Sequence, residues 1–229
     1  MKITLNKKIF SKLNSHFQIA FIKLENIDNK TRNKEAQHLL HEAIKLTKLT
    51  FHKDSYKNHR LILPWKVAQQ EFGPKAVHYQ TSLERLLLKA TNNKKISQDN
   101  TITTLTNYLS LKYLIPFGAD NFVKIHHNLS FEIANGKERI NFLTTLKPGA
   151  LYYKDDNNIL GTKLDFWKNK KTTPNKKTTS ALIHIESLPP ITSAQFKNVI
   201  NETNSLIKTF CNAKTKIIIL NKDKWHAKI

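Results

Sequence analysis

The spacing of apolar residues changes about half-way along this chain, and this change constrains the fold more than any other feature of the sequence. In the first half, most apolar residues recur at helical intervals, which is typical of helices with one buried face. In the second half they form short runs bounded by turn residues, which is typical of strands. Helices gathered in one half and strands in the other favour an α+β fold over an alternating, doubly wound one.

One strand and four helices are predicted before residue 120. The strand is the dense apolar run 17–24. Three helices are predicted over 34–51, 83–90 and 101–114, and a further short helix starts at Trp65 and stops at Gly73-Pro74. The segment Ile115-Pro116-Phe117-Gly118-Ala119-Asp120 predicts a tight loop after the fourth helix.

The remainder of the chain predicts strands and one long helix. The predicted strands are 129–133, 150–153, 159–162, 181–186 and 216–220. The helix lies between the last two of them, begins after a capping residue, Thr192, and runs to Phe210.

The chain carries a large positive charge, which suits a polyanionic partner such as nucleic acid. Its 229 residues include 38 Lys and Arg against 17 Asp and Glu, which gives a formal net charge of +21. Only Arg32, Arg60, Arg85 and Arg139 are arginines, although specific phosphate contacts prefer Arg to Lys. A bias toward Lys, Asn and Ile is also what an AT-rich genome produces, so the charge alone leaves both explanations open.

Composition excludes several classes of protein and site. Apolar residues make up 39% of the chain, too many for a disordered basic tail. The single cysteine, Cys211, excludes an intramolecular disulfide framework and a cysteine-based zinc module, and we predict that it is a buried thiol. The sequence has neither a Gly-rich phosphate loop nor an HExxH motif. We therefore expect no metal and no other cofactor.

No apolar segment reaches the roughly 20 residues that a membrane span needs. The longest early run, 17–24, is short and is interrupted by Gln18 and Lys23. We therefore expect a soluble, cytoplasmic protein without a membrane partner.

Two groups of polar residues are candidates for a site. Thr106 and Asn107 lie in the middle of a predicted helix, where Thr and Asn are poor helix formers. They form either a polar pocket wall or an ordinary solvent-exposed face. Glu186 ends an otherwise apolar strand, so its carboxylate is either exposed or faces a pocket that supplies a hydrogen-bond donor.

Four blocks of the sequence, in the same order, resemble B3/B4-domain proteins. The first, Phe72-Gly73 followed by Tyr79-Gln80-Thr81-Ser82-Leu83-Glu84-Arg85-Leu86-Leu87, resembles their "fG…yrpSvEaLlrR" segment. The others are 106–120, which resembles "N.vSL…lPiGa.D", 146–155, which resembles "pePGElvy.D", and 178–190, which resembles "T…a.l.iEalpp". On this basis we predict that residues 1–229 form a single B3/B4-like domain. The core of the resemblance lies over 65–210, and the match is weakest over 1–60.

B3/B4 is the editing domain of the bacterial phenylalanyl-tRNA synthetase β subunit, and it also occurs in free-standing proteins. The resemblance implies a layered α/β sandwich that hydrolyses a wrong amino acid from tRNA in trans. By the same resemblance, Thr106 and Asn107 match a Thr-Asn pair of the editing pocket, and Gly118 falls at the position of its His. Glu186 matches a pocket Glu that reads the side-chain hydroxyl of the amino acid in the synthetase.

These correspondences give a set of predicted roles. Thr106, Asn107 and the backbone N–H groups at Gly118 and Ala119 would orient the ester and stabilise the oxyanion. Glu186 and Phe117 would contact the substrate. The tRNA acceptor end would be held through its phosphates by lysines of a basic, polar loop: Lys168, Lys170, Lys171, Lys176 and Lys177.

Two other functions stay open on the sequence alone. A non-catalytic tRNA- or RNA-binding module is favoured by Gly118 standing where the family has His. The other is an amino-acid-binding protein whose positive charge reflects only the base composition of its genome. The sequence does not specify which amino acid or which tRNA would be bound.

Overall fold

The computed structural model describes residues 1–52, 55–70, 81–140, 144–162 and 167–229. Over these residues the chain forms six α-helices and ten strands, with most helices in the first half. The helices are α1 (Lys8–Lys12), α2 (Asn33–Thr50), α3 (Leu63–Gln70), α4 (Ser82–Thr91), α5 (Thr101–Tyr113) and α6 (Ser193–Cys211). The predicted α+β class is confirmed.

The strands form two sheets. They are β1 (Lys2–Leu5), β2 (Gln18–Glu25), β3 (Phe117–Asn121), β4 (Leu129–Ile133), β5 (Leu151–Lys154), β6 (Ile159–Thr162), β7 (Trp167–Lys168), β8 (Ser180–Ser187), β9 (Lys214–Leu220) and β10 (His226–Lys228). One sheet has the order β10-β1-β4-β5-β6-β7 and the other the order β3-β8-β2-β9. The β1–β4 pair is parallel, and the other pairs are antiparallel.

The molecule has three layers: the six-stranded sheet, the four-stranded sheet and the helices. Strand β2 is buried on both faces because it lies in the middle layer. Ile19 and Phe21 pack toward the six-stranded sheet, whereas Ala20 and Ile22 pack toward α5 and α6. A strand covered on both faces needs a continuous apolar run, which explains why this segment was predictable from its sequence.

Helix α5 lies within the helical layer, and its hydroxyl side chains are mostly used inside the fold. Thr104 donates to the Asn33 side chain at 2.8 Å, and Ser110 donates to the Ile115 carbonyl at 2.7 Å. Leu105 and Leu109 pack on the four-stranded sheet. The polar residues of this helix are therefore compatible with burial because most of them have hydrogen-bond partners.

The prediction of a loop at 115–120 is wrong. Helix α5 is capped at its C-terminus by Leu114, which has a left-handed φ of 54°. Residues Phe117–Asn121 then form strand β3. Strand β3 pairs antiparallel with β8 along its whole length. Turn-forming residues suggested a loop, but pairing with a strand more than sixty residues away in sequence decides the local structure.

Several other outcomes bear on the sequence predictions. The last helix is capped as predicted, by a reciprocal capping box between Thr192 and Gln195. Strands β1 and β10 and helix α1 were not predicted. The predicted helix stop at Gly73-Pro74 lies outside the described residues.

Cys211 is fully buried, as predicted. Burial, together with the nearby Asp28 carboxylate, raises the pKa of its thiol to about 12, so the thiol is protonated at neutral pH. In the described part of the chain, no helix is long and apolar enough to cross a membrane.

Candidate functional site

A pocket of about 340 Å³ lies between α4, α5 and the edge strand β3, and we call it the α5–β3 pocket. Helix α4 forms one wall, helix α5 a second and strand β3 a third, while the segments at 96–97 and 168–174 complete the rim. The lining residues are Ser82, Arg85, Leu86, Lys89, Ile96, Ser97, Thr103, Thr106, Asn107, Phe117, Gly118, Ala119, Lys168, Thr173 and Pro174. Five residues predicted for catalysis or substrate contact thus line a single pocket.

The pocket opens into a second, shallower depression of about 600 Å³. The two share Ser97, Thr103, Thr173 and Pro174 in their walls, so they form one continuous groove. The outer depression is bordered by Lys176 and Lys177 and also by Asp99. A groove in whose described walls cations outnumber carboxylates suits an extended anionic ligand.

The two candidate residues on α5 use their donor groups within the protein. The Thr106 hydroxyl donates to the Ile102 carbonyl at 2.9 Å, and the Asn107 amide nitrogen donates to the Ser97 carbonyl at 2.7 Å. The Asn107 bond joins α5 to the segment on the rim. Both side chains are therefore held in fixed orientations in the pocket wall.

Strand β3 is an edge strand, and this determines which of its N–H groups are accessible. The Asn121 N–H points away from β8, because it donates to the Thr172 carbonyl at 2.7 Å. N–H directions alternate along an antiparallel pair, so the Ala119 N–H also faces the open edge, beside the pocket. The Gly118 N–H instead faces His184 in the ladder. Of the two predicted backbone donors, only Ala119 is thus placed to serve a ligand.

Lys168 lines the pocket but is part of a buried ion pair. Its ammonium lies 2.7 Å from Asp120 Oδ2 and also donates to the Tyr153 hydroxyl. The Tyr153 hydroxyl donates to the same carboxylate at 3.0 Å. Asp120 is completely buried, and the Lys168 side chain is 17% exposed. This lysine therefore helps to form the pocket wall, and its charge is largely neutralised.

Glu186 does not line the α5–β3 pocket. It is fully buried on the face of β8 that packs toward the six-stranded sheet, where its carboxylate contacts His184 Nδ1. Gly118 pairs directly with His184, and paired residues share a face. A side chain at position 118 would therefore point toward the His184 ring, which already packs at 5.0 Å from the Tyr153 ring centroid. The structure brings Thr106, Asn107, Phe117 and Ala119 together and leaves Glu186 on the opposite face of the sheet.

The predicted basic loop is anchored to the helical layer. The Asn100 amide donates to the Pro174 carbonyl at 3.1 Å, and the Asn29 amide donates to the Asn175 carbonyl at 2.8 Å. The lysines of the loop that point into solvent are Lys170, Lys171, Lys176 and Lys177. Of these four, Lys176 and Lys177 line the outer depression.

The electrostatics of the pocket are one-sided. Its described wall contains the cations Arg85, Lys89 and Lys168 but no carboxylate and no imidazole. Nor do three His, Cys, Asp or Glu side chains gather anywhere in the described part of the chain, as a metal ion would require. The arrangement can bind an anionic or neutral polar group and orient a water molecule, but among the described residues of its wall there is no carboxylate or imidazole for general-base catalysis.

The sequence prediction did not include the α4 wall of the pocket. The fully buried residues of α4 are Leu83, Leu87 and Ala90. Leu86 packs, partly buried, against the same apolar cluster and also lines the pocket. The positions 82, 85, 86 and 89 have the spacing of a single helix face, and this was the available signal.

Comparison with known proteins agrees with this architecture. A model of the B3/4 domain family matches residues 69–212, which is more than half of the chain. The chain belongs to the B3/4 domain family. All the residues that line the α5–β3 pocket fall within the matched range.

A solved structure also resembles this B3/4 domain. It is an N-terminal fragment of the phenylalanyl-tRNA synthetase beta-subunit from Pyrococcus horikoshii, with a TM-score of 0.46 and 9% sequence identity. The superposition covers 94% of this chain and 49% of that one, so this chain spans about half the length of the fragment. No curated protein sequence matches the chain significantly.

Proposed function

We propose that this B3/4 domain binds the aminoacylated 3′ end of tRNA and hydrolyses the ester of mischarged aminoacyl-tRNA in trans. The observation that carries the proposal is the joint placement of Thr106, Asn107 and Ala119 in one pocket at the inner end of a basic groove. The outer end of the groove would receive the single-stranded acceptor nucleotides, and the pocket would receive the ester.

The reaction requires few catalytic groups because an aminoacyl ester is already activated toward hydrolysis. A water molecule would add to the carbonyl carbon, and the carbonyl oxygen would become an oxyanion. The Ala119 N–H is the donor placed to stabilise that oxyanion. Collapse of the tetrahedral intermediate would break the bond to the ribose oxygen, which takes up a proton. Orientation of the ester against Asn107, with the neighbouring 2′-hydroxyl of the tRNA, would supply the remaining acceleration.

The basic rim would supply tRNA affinity. Lys170, Lys171, Lys176 and Lys177 are exposed on one loop, and exposed lysines bind phosphates through salt-sensitive contacts. Lys168 contributes less to this than its sequence position suggested, because it is held by Asp120.

A deacylation assay on a panel of mischarged tRNAs tests the proposal. At least one aminoacyl-tRNA is expected to be hydrolysed faster than its spontaneous rate. Asn107→Ala should slow that reaction by about 100-fold, because a small misplacement of the ester can cost about that much in rate. Asn201→Ala, which changes an exposed Asn on α6, is the matched control and should retain full activity. Rates equal to the spontaneous rate for every tRNA in the panel would contradict the proposal.

A non-catalytic tRNA-binding module is the second candidate, because the described wall of the pocket contains no carboxylate or imidazole. This candidate predicts salt-sensitive tRNA binding with no deacylation of any tRNA. It also predicts that Asn107→Ala leaves tRNA affinity unchanged. A filter-binding measurement at two salt concentrations, made beside the deacylation assay, separates the two candidates.

A further inference from the structure

The six-stranded sheet has an outer face, turned away from the four-stranded sheet, and this face is polar. Ile3 and Leu5 of β1 point into the core between the sheets, so Lys2 and Thr4 point outward, because strand residues alternate between the two faces. Residues that pair across neighbouring strands share a face. The other residues of this outer sheet face are Ser130 of β4, Lys154 of β5, and His226 and Lys228 of β10.

Protection of a sheet edge does not explain the lysines of this face. Edge strands often carry lysines that block pairing with another chain, and this suits Lys228 on the edge strand β10. Lys2 and Lys154, however, lie on β1 and β5, which are each paired on both sides. Lys2 also stands directly opposite Lys228, and like charges placed in this way destabilise a sheet. An anionic partner would relieve that repulsion.

A depression of about 520 Å³ lies in the outer sheet face, and we call it the sheet-face depression. Thr4, Ser130 and Lys154 line it in a row across three strands. Arg139, from the segment after β4, also lines it and is exposed. A guanidinium offers a planar fork that matches phosphate oxygens. The depression thus combines neutral hydroxyl groups with two exposed cations.

The carboxylates of this region only partly offset its cations. Asp155 and Asp156 line the sheet-face depression. Asp155 is buried, and its carboxylate accepts three backbone N–H bonds at 3.0, 2.8 and 2.6 Å, so its charge is compensated within the fold. Glu132, on the same face of β4, is in contact with the Asn6 amide. Asp156 is exposed, and it stands against four exposed cations, namely Lys2, Arg139, Lys154 and Lys228.

The sheet-face depression and the α5–β3 pocket lie on either side of one segment. Asn169 lines the depression, whereas Lys168, the residue before it, lines the pocket. The Asn169 amide is fixed because it donates to the Ile159 carbonyl at 3.1 Å. The exposed Lys170 and Lys171 follow directly in the chain. A long ligand whose end occupies the pocket therefore has the outer sheet face beside its body.

We propose that the outer sheet face, through Lys2, Arg139, Lys154 and Lys228, binds the phosphate backbone of an RNA stem. Within the proposed function, on which this inference rests, the stem is the acceptor stem of tRNA, and its single-stranded end enters the α5–β3 pocket. Double-stranded RNA is recognised mostly by shape and by contacts to phosphates and 2′-hydroxyls, which cations and hydroxyl groups supply. From β10 to β5 the face is about 14 Å wide, which is enough for several phosphates.

The test uses a blunt-ended RNA duplex, which has no single-stranded nucleotides to enter the pocket. Fluorescence anisotropy measures its affinity at several salt concentrations. The triple variant Lys2→Gln/Lys154→Gln/Lys228→Gln should bind at least tenfold more weakly than the wild type. The slope of log affinity against log salt concentration should become shallower by about 2 to 3, because each lost phosphate contact removes somewhat less than one unit.

The matched control removes the same charge from the helical layer. Lys34→Gln/Lys48→Gln/Lys197→Gln changes three exposed lysines of α2 and α6. This control should change the affinity for the duplex less than twofold. Equal losses in the two triple variants would mean that only the net charge matters, and would overturn the inference.

A second readout uses the wild-type protein and so does not depend on the folding of a variant. Bound duplex should slow the acetylation of the Lys154 and Lys228 amines, measured by mass spectrometry. The inference would also be overturned if the duplex protected only the loop lysines, which are Lys170, Lys171, Lys176 and Lys177.

The duplex carries no amino acid, so its binding is independent of catalysis. If the duplex binds as expected but no aminoacyl-tRNA is hydrolysed, the deacylase proposal alone fails. If aminoacyl-tRNA is hydrolysed but the first triple variant binds the duplex as the wild type does, the assignment of the outer sheet face alone fails.

Discussion

Asp120 connects the pocket to the core of the molecule. Its buried carboxylate receives both the Lys168 ammonium and the Tyr153 hydroxyl, and the Tyr153 ring stacks on Phe131 between the two sheets. Lys168 in the pocket wall is thereby held by a residue that does not itself line the pocket. Removing one partner of a buried ion pair leaves the other charge uncompensated and costs several kcal/mol.

We therefore predict that Asp120→Asn lowers the free energy of unfolding by about 3 kcal/mol. Urea denaturation followed by circular dichroism measures this change. Asp223→Asn removes an exposed carboxylate and serves as the control, with an expected change within about 0.5 kcal/mol. If the two variants were equally stable, the ion pair of Asp120 and Lys168 would have no structural role.

The residues of the site were only partly predictable from the sequence. Thr106 and Asn107 were found because Thr and Asn are unusual in mid-helix. The face that Glu186 occupies could not be found in this way, because it depends on which layer covers each side of β8. Resemblance assigned Glu186 to the pocket, and alternation along the strand places it on the opposite face with His184.

At the scale of elements, α4 is a helix whose first turn contains a partly buried acid. Burial raises the pKa of the Glu84 carboxyl above its ordinary value of 4.5, although hydrogen bonds from Thr81 lower it in part. A raised pKa means that the folded protein binds this proton more tightly than the unfolded chain does. The contribution of Glu84 to stability is therefore greatest at low pH and falls as the pH rises through the raised value.

We predict that Glu84→Gln becomes more stable relative to the wild type as the pH rises from about 4 to about 7. Glutamine keeps the capping box, since its side-chain oxygen accepts the same bond from Thr81, but it never carries a charge. Unfolding curves of both proteins across this pH range give the difference, to which the other carboxylates contribute equally. A difference that stays constant with pH would show that burial does not penalise this carboxylate.

The helices and strands differed in how well they could be predicted from the sequence. Helix α6 and strand β2 were predictable, the first from its cap and spacing and the second from a continuous apolar run. Strand β3 was not, because Pro116 and Gly118 are turn-forming residues and the strand exists only through pairing with β8. The short strands β1 and β10 pair with each other from opposite ends of the chain, and such contacts leave no local pattern.

At the scale of the whole molecule, part of the net charge of +21 lies in and beside the groove. Part of it lies on the exposed loop beside the groove, as Lys170, Lys171, Lys176 and Lys177, of which Lys176 and Lys177 line the outer depression. Another part lies in the pocket wall, as Arg85 and Lys89. A groove lined in this way steers an anionic strand toward its inner end.

The central claim is that the aminoacyl end of tRNA enters the α5–β3 pocket. A crystal structure with a CCA trinucleotide that carries an amide-linked, non-hydrolysable amino acid tests it most directly. We predict that the amide carbonyl lies within hydrogen-bond distance of the Ala119 N–H, beside Asn107. The claim would be contradicted by an analogue bound elsewhere, for example in the separate depression lined by Arg60 and Tyr113, with the α5–β3 pocket empty.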